Sequence, residues 1–377
     1  MIRRCLIAIL VFVSLGLHAE RLNYAFNHIS TDEGTGLRTN KIYSLFQDEK
    51  GFIWLGTANG IQRFDGGKFV SFDPRGTKGN PLPAVAIEQL LPAGNGKIWL
   101  AAKSKREFGI FDISTFSYHV VPLVTSGPIP ARSEFRMWQD SLGNTFISIF
   151  RYGKILVYDS IAHAFTENTP LNNIPAGWTL RSNAFYDHLK KQYWILCNEG
   201  VLVYDHSSKQ MWSRLNNPMK MPLLDHPDLT AGLSEIHIDK KRRYWKFYWK
   251  DKHYFTCFDE KGNFLSKDTA GLQGKNTSYE ELASFRETSN GTLWINGLAE
   301  LYSLGSNDAA FTLYRSQYID NFGIRYEQVF DIMEDRDGII WFATDQGLYH
   351  TSSNPSRIAN IFLSNIPGFY EAQTCLN

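Results

Sequence analysis

The chain has 377 residues, enough for two or three average domains or for one large all-β domain. Hydrophobic residues make up 43% and aromatics 14%, which supplies a core, excludes the composition of a disordered chain and favours strands over helices. Lys plus Arg (39) balances Asp plus Glu (38), and a net charge of +1 gives no reason to expect nucleic acid as a partner.

The chain opens with MIRRCLIAILVFVSLGLHAE. Arg3 and Arg4, an apolar run from Leu6 to Leu17 and the small Ala19 make the three-part pattern of a secretory signal peptide over residues 1–19. A membrane anchor needs about 20 apolar residues, and this run is too short. No later stretch is long and apolar enough either, so the mature chain is expected to be exported, without membrane contact. Cys5 lacks the small residues that precede a lipoprotein cysteine. Cys197, Cys257 and Cys375 are odd in number and widely spaced, which is no disulfide framework. Cys197 and Cys257 sit in strand-like runs and read as buried small hydrophobes.

After a strand-like run, Leu22 to Ser30, the sequence becomes periodic. Trp54, Trp99, Phe146, Trp194, Trp245, Trp294 and Trp341 occupy one slot in similar phrases, at spacings of 45, 47, 48, 51, 49 and 47. Seven equivalent positions at a near-constant period form one array, not two domains. Each unit runs from a short apolar stretch through a polar turn, often with Asp and Gly three apart (Asp48/Gly51, Asp140/Gly143, Asp335/Gly338), to the tryptophan strand. A further strand then ends in aromatic-Asp (Phe64-Asp65, Phe111-Asp112, Tyr158-Asp159, Tyr204-Asp205, Phe258-Asp259), and a last strand closes the unit. Such aromatic and β-branched runs between Gly, Asp and Asn turns are hairpin-joined antiparallel strands. Four strands in 40–50 residues is the arithmetic of a propeller blade. The expected fold is all-β: a seven-bladed β-propeller of four-stranded blades over residues 20–355, with 356–377 a tail or the start of a following domain. Blade seven, from Gln328, lacks its outer strand after Tyr349. The run at Leu22–Ser30 is favoured to supply it and lock the ring; Arg357–Ser364 is the competitor.

Most repeated residues read as structural. The tryptophan recurs in the core strand and reads as a packing wedge. Glu334–Gly338 (EDRDG) resembles the start of a calcium loop, but QDEKG and QDSLG fill the same slot in other blades, so a hairpin turn is the better reading. Gly56 and Gly60 fit close blade contact and a positive-φ turn. Zinc patterns, nucleophile elbows, Walker loops and dinucleotide fingerprints are missing from the sequence. His226–Asp228 and His237–Asp239 place a carboxylate near a histidine at a spacing common by chance. No catalytic set, metal or cofactor is therefore expected. The loops between second and third strands, and between blades, differ strongly from unit to unit, and a constant frame with variable loops is how a fold becomes a recognition surface. The candidate ligand residues there are Arg38, Asn40, Arg151, Tyr152, Trp249, Arg325 and Tyr326. They would form an aromatic and arginine rim suited to an anionic or neutral oligosaccharide.

The stretch IYSLFQDEKGFIWLGTANGIQRFDGGKFVSF, from Ile42, resembles the two-component-regulator propeller repeat, and FNHISTDEGTGLRTNKI, from Phe26, is similar to the lead-in of the sensors built from it. The likeness runs from about residue 22 to 350, close in blades one and seven and drifting in blades two to six. It implies the periplasmic sensor region of a hybrid two-component system, from bacteria that degrade complex polysaccharides. Such sensors carry a second ring, an immunoglobulin-like domain, a membrane helix and a histidine kinase; none is read in these residues, so the resemblance implies the sensing part and no kinase activity. The expected partners are an oligosaccharide and neighbouring sensor domains or a second copy. A propeller enzyme like the streptogramin lyases is the alternative, with His253 the one histidine placed near the right loops, and a scaffold that binds no small molecule is a third reading.

Overall fold

The computed structural model describes residues 24–72, 78–227, 233–248, 254–268, 281–308, 310–314 and 323–352. Seven separate sheets, each built on an antiparallel meander, follow one another along the chain. Blade one runs outward as Ile42–Gln47, Ile53–Thr57, Gly60–Phe64 and Phe69–Ser71. Inner strands of the next five blades are Gln89–Gly94, Phe135–Gln139, Leu180–Asp187, Leu233–Ile238 and Glu281–Glu287. Blade seven contributes Val329–Glu334, Ile339–Thr344 and Leu348–Ser352. Blades two and three each gain a fifth, parallel outer strand, Lys78–Gly79 and Leu123–Val124, which the sequence did not signal.

The N-terminal strand closes the ring. Asn27–Ile29 pairs antiparallel with Leu348–Ser352, Asn27 opposite His350 and Ile29 opposite Leu348. Just before it, Tyr24 and Phe26 are buried among Trp294, Val329 and Phe342, in the seam between blades six and seven. His28 stacks on Tyr349 at 4.4 Å and bonds the Gln346 carbonyl at 2.8 Å.

The second strand of a blade lies between two neighbouring sheets, so both its faces are covered. Ile53–Thr57, Thr145–Ile149 and Gln192–Cys197 are buried at every residue, and they read in sequence as mostly apolar runs in which only Thr57, Thr145, Ser148 and Gln192 are polar. The repeated indole is the wedge. Trp54 packs on Leu82, Ile87, Leu90 and Phe111 of blade two, Trp194 on Ile236 and Phe258 of blade five, and Trp341 on Leu45, Leu55 and Phe64 of blade one.

A buried indole N–H needs an acceptor, and the Asp of the preceding turn supplies it. Trp54, Trp245 and Trp341 each donate at 2.8 Å to the carboxylate six residues earlier, Asp48, Asp239 and Asp335. The other carboxylate oxygen takes backbone N–H groups of the turn, as Asp335 does from Asp337 and Ile339. EDRDG is thus a turn whose aspartate is already occupied. Where the pairing is broken, the substitutes are visible. In blade three Phe146 replaces the indole, and Asp140 takes Asn144 Nδ2 at 2.7 Å and the Tyr193 hydroxyl at 2.6 Å instead. In blade four the turn is one residue longer and Asp187 pairs with Arg242, both contacts at 2.8 Å. In blade six Thr288 stands in the slot. Trp194 and Trp294 consequently keep buried Nε1 atoms without a partner among the described residues. The aromatic-Asp endings cap the outer turns: Asp65 accepts from Gly67 and Lys68, and Asp159 from Ile161 and Ala162.

Gly56 has a sharp steric reason. A Cβ there would lie 2.5 Å from the Ile87 carbonyl oxygen of blade two. Blade six carries Asn296 in the same slot, and its amide Nδ2 donates to the Val329 carbonyl of blade seven at 2.9 Å. Close approach and side-chain bridging solve one problem, the junction of adjacent blades, in two ways.

Candidate functional site

Successive strands alternate in direction, so the loops between second and third strands and those between blades emerge at one end of the ring; the Asp turns emerge at the other. The inner strands line the axis and are sheet edges, with backbone groups that lack a strand partner on that side. Side chains from the neighbouring blade serve them. Asp331 of blade seven accepts the Leu45 N–H of blade one at 2.9 Å, and Ser44 of blade one accepts the Leu90 N–H of blade two at 3.0 Å. Gln89 grips Met137 of blade three through both its N–H (2.8 Å) and its carbonyl (2.9 Å). The slot these residues share, directly before Leu45, Leu90, Met137, Ala184, Ile236, Phe285 and Ile332, holds Ser44, Gln89, Arg136, Asn183, Glu235, Ser284 and Asp331.

One residue nearer the loop end, the ladder is bulged. The register skips Tyr43 in blade one and Phe330 in blade seven. A bulge residue is released from pairing and re-aimed. Both rings are half-buried and meet edge to face at 4.8 Å across the blade junction. The Lys41 ammonium lies over both, 5.7 Å and 5.9 Å from their centroids. An aromatic pair under a cation thus sits at the mouth of the channel.

A second polar group surrounds the same mouth at blades two and three. Lys103, in the loop after the second strand of blade two, takes Glu88 Oε2 on its backbone N–H at 2.8 Å. Burial, then the nearby Arg136 guanidinium, hold its ammonium down at about 8 against the pull of Glu88 and Glu134. The loop beside it is fixed by Arg106, whose guanidinium binds the carbonyls of Ile129, Pro130 and Ala131.

Of the rim residues expected from the sequence, Arg38, Asn40, Arg151, Tyr152, Arg325 and Tyr326 lie in loops of this end. Arg38 is exposed, with its backbone N–H on Gln62 Oε1 at 3.1 Å. Asn40 uses its side-chain oxygen on the Thr31 N–H at 2.9 Å. Arg151 is exposed at a positive φ of 68°, and Tyr152 donates to Glu167 at 2.6 Å. Arg325 is exposed, whereas Tyr326 is buried and donates to the Tyr314 carbonyl. The loops of Arg38, Asn40 and Arg325 flank the Tyr43–Phe330 junction; Arg151 and Tyr152 belong to blade three. Trp249 and His253 lie outside the described residues. Sequence reading missed Lys41, Tyr43 and Phe330. The available signal was an aromatic in the same slot of both matching phrases, KIYSLF and QVFDIM.

His237 and Asp239 form no proton relay. Asp239 is taken by Arg243 at 2.6 Å and by Trp245. His237 lies flat on Phe285 at 5.5 Å with Nε2 buried and unpartnered, and burial lowers it to about 4, so it stays neutral. His226 packs edge-on against Phe258 at 4.6 Å, and Asp228 lies outside the described residues. Among the described residues no three His, Cys, Asp or Glu side chains converge as a metal site.

Residues 36–59 and 323–346 match the family described as Two component regulator propeller. These are the phrases of blades one and seven. No curated protein matches the chain. Among solved structures, the extracellular domain of a hybrid two component system of B. thetaiotaomicron is similar with a TM-score of 0.63 at 17% identity, over 88% of this chain and 42% of that one. A second such domain from the same organism gives 0.62 at 18%, over 89% and 43%. The chain therefore spans less than half the length of either. Virginiamycin B lyase from Staphylococcus aureus gives 0.59 at 14%, over 87% and 99%. At such identities these likenesses show the fold alone. The molecule is a seven-bladed propeller, and the two blades that meet at its closure carry the stretches that match the two-component-regulator propeller model.

Proposed function

We propose that this ring is the extracytoplasmic sensing module of a two-component system and reads an oligosaccharide at the loop end of its channel. The observation that carries the reading is the Tyr43–Phe330 pair beneath Lys41. A pyranose offers C–H patches to aromatic faces and hydroxyls to charged, planar side chains, so this junction with Arg38 and Arg325 around it has the right chemistry. The ring itself carries out no turnover, and the bound state passes to neighbouring sensor domains or a second copy. The family match supports the sensing role; the resemblance to virginiamycin B lyase supports only a shared frame. Calorimetric titration with a panel of neutral and anionic oligosaccharides tests the reading, repeated with Tyr43→Ala, Phe330→Ala, Trp249→Ala and Arg151→Ala. Loss of binding in the first two locates the ligand at the blade one–seven junction, and loss in the last two on the outer rim. No binding by any glycan leaves the ring a scaffold. Cleavage of a streptogramin antibiotic, abolished by His253→Ala, overturns the sensing role in favour of a lyase.

A further inference from the structure

Most turn aspartates at the Asp-turn end accept the backbone N–H two residues on, which holds that residue at the tip of its turn. Lys50, Gly67, Ser114, Lys261 and Asp337 occupy this slot, bonded to Asp48, Asp65, Asp112, Asp259 and Asp335. Three consecutive turns break the pattern. Leu142, Ile161 and Leu189 bond Asp140, Asp159 and Asp187 in the same way, at 2.9, 2.8 and 3.1 Å, with side chains 62%, 92% and 65% exposed. A single exposed leucine needs no reason; three apolar residues in one slot, on consecutive turns, do. A cationic sector adjoins them. The Tyr193 hydroxyl of blade four reaches Asp140 of blade three at 2.6 Å, and Arg242 of blade five reaches Asp187 of blade four at 2.8 Å. The turns of blades four and five, 187–191, 205–209, 239–243 and 259–263, carry eight Lys and Arg against five Asp and Glu. Arg242 holds Asp187 and Glu260, and Arg243 holds Asp239. Lys191 and Lys209 are exposed and pair with no carboxylate among the described residues.

We propose that the Asp-turn end docks on a bilayer surface with anionic headgroups. Leu142, Ile161 and Leu189 enter the interface, and the lysines of blades four and five meet the headgroups. Such a surface fits the three tips better than a protein does. A protein partner needs a contiguous patch of about 800 Å², whereas these side chains stand on separate turns. A fluid interface admits each tip singly and attracts the cations beside them. The lack of a spanning run in the sequence argued against membrane contact, but turn tips reach only the interface and need no span. Docked this way, the ring holds its Tyr43–Phe330 mouth at the end away from the membrane, open to ligand.

The test is flotation of the whole protein with two kinds of vesicle: phosphatidylcholine alone, and phosphatidylcholine with one lipid in three replaced by phosphatidylglycerol. The protein is expected to bind the anionic vesicles, and high salt should weaken that binding. Lys191→Gln with Lys209→Gln should lose about 25-fold, at about fivefold for each charge near the surface. Leu142→Ser, Ile161→Ser and Leu189→Ser together should lose more than about tenfold, with Tm unchanged because the side chains are exposed in the fold. Equal partition to both vesicle types, no binding to either, or binding indifferent to either set of substitutions overturns the proposal. So does a dimer in sedimentation velocity that the triple serine variant dissociates, which assigns the tips to a second copy. Capture by poly-glutamate with none by anionic vesicles overturns it too, and assigns the cations to an acidic protein. Each of these outcomes leaves glycan binding at the loop end to be read by its own titration.

Discussion

Phe26→Ala tests how the ring is closed. Phe26 is 3% exposed, and its ring meets Tyr314 at 5.5 Å and Phe342 at 5.3 Å, one on blade six and one on blade seven. Truncating a buried phenylalanine removes its transfer energy and leaves a cavity, together about 4 kcal/mol. The backbone pairing of Asn27–Ile29 is untouched, so the effect isolates the seam. For a chain of 377 residues, unfolding entropy of about 2.1 cal/mol/K per residue gives roughly 0.8 kcal/mol/K, and the loss becomes a fall in Tm of about 5 °C. Differential scanning calorimetry reads it directly. Removing residues 22–30 altogether should lower Tm further, since Tyr24 and the strand pairing go too. If Phe26→Ala melts within about 1 °C of wild type, the N-terminal segment is not the clasp and the closure described above is wrong.

Thr288→Asp should stabilise the protein by about 0.5–1.5 kcal/mol, because it offers the orphaned Trp294 Nε1 the acceptor that Asp48, Asp239 and Asp335 give their tryptophans; chemical denaturation that shows no gain refutes the pairing rule. Gly56→Ala should cost about 1–3 kcal/mol by pushing a methyl onto the Ile87 carbonyl, whereas Gly67→Ala, with only the Asp65 carboxylate near at 3.8 Å, should stay within about 0.5 kcal/mol of wild type in the same assay. Hydrogen bonds hold four turn carboxyls below the usual range: from Lys68 and Gly67 on Asp65, the Ser114 hydroxyl on Asp112, Ala162 and Ile161 on Asp159, and the Asn263 amide on Asp259. A lowered folded-state value means the stabilisation is full above about pH 4 and is lost as pH falls through the lower folded values. Melting temperature should therefore drop below pH 4, with Asp112→Asn flattening the profile; an unchanged profile in that variant refutes the assignment.

Ring architecture was legible because it is written seven times. The tryptophan slot, the Asp–Gly turn and the missing outer strand each constrain the count, and no single blade has to be read correctly. Blade three shows the strength of this: Phe146 breaks the motif, yet the period carries across it. The coupling of tryptophan to aspartate was not read, although both residues were singled out. Six residues separate them along the chain, and only the hairpin folds one onto the other. Site residues were harder for a different reason. Tyr326 and Arg325 are neighbours in one loop, and sequence gives no sign that one ring is buried against blade six while the guanidinium is exposed.

The clasp also has a temporal meaning. His28 bonds to Gln346, 318 positions further on, so the outer strand of blade seven is made long before the strand it pairs with. Each inner blade can form as a local hairpin stack while synthesis proceeds. Until the last repeat arrives, Tyr24 and Phe26 have no complete seam to enter, and blade seven has no outer edge. A nascent chain is thus an open arc with an apolar end at each side. A long search must bring those ends together, slow for the reason that any distant β pairing is slow. Substitutions at the clasp should accordingly leave blade formation alone and act on the final rate of closing, which makes Phe26 as much a determinant of folding yield as of melting.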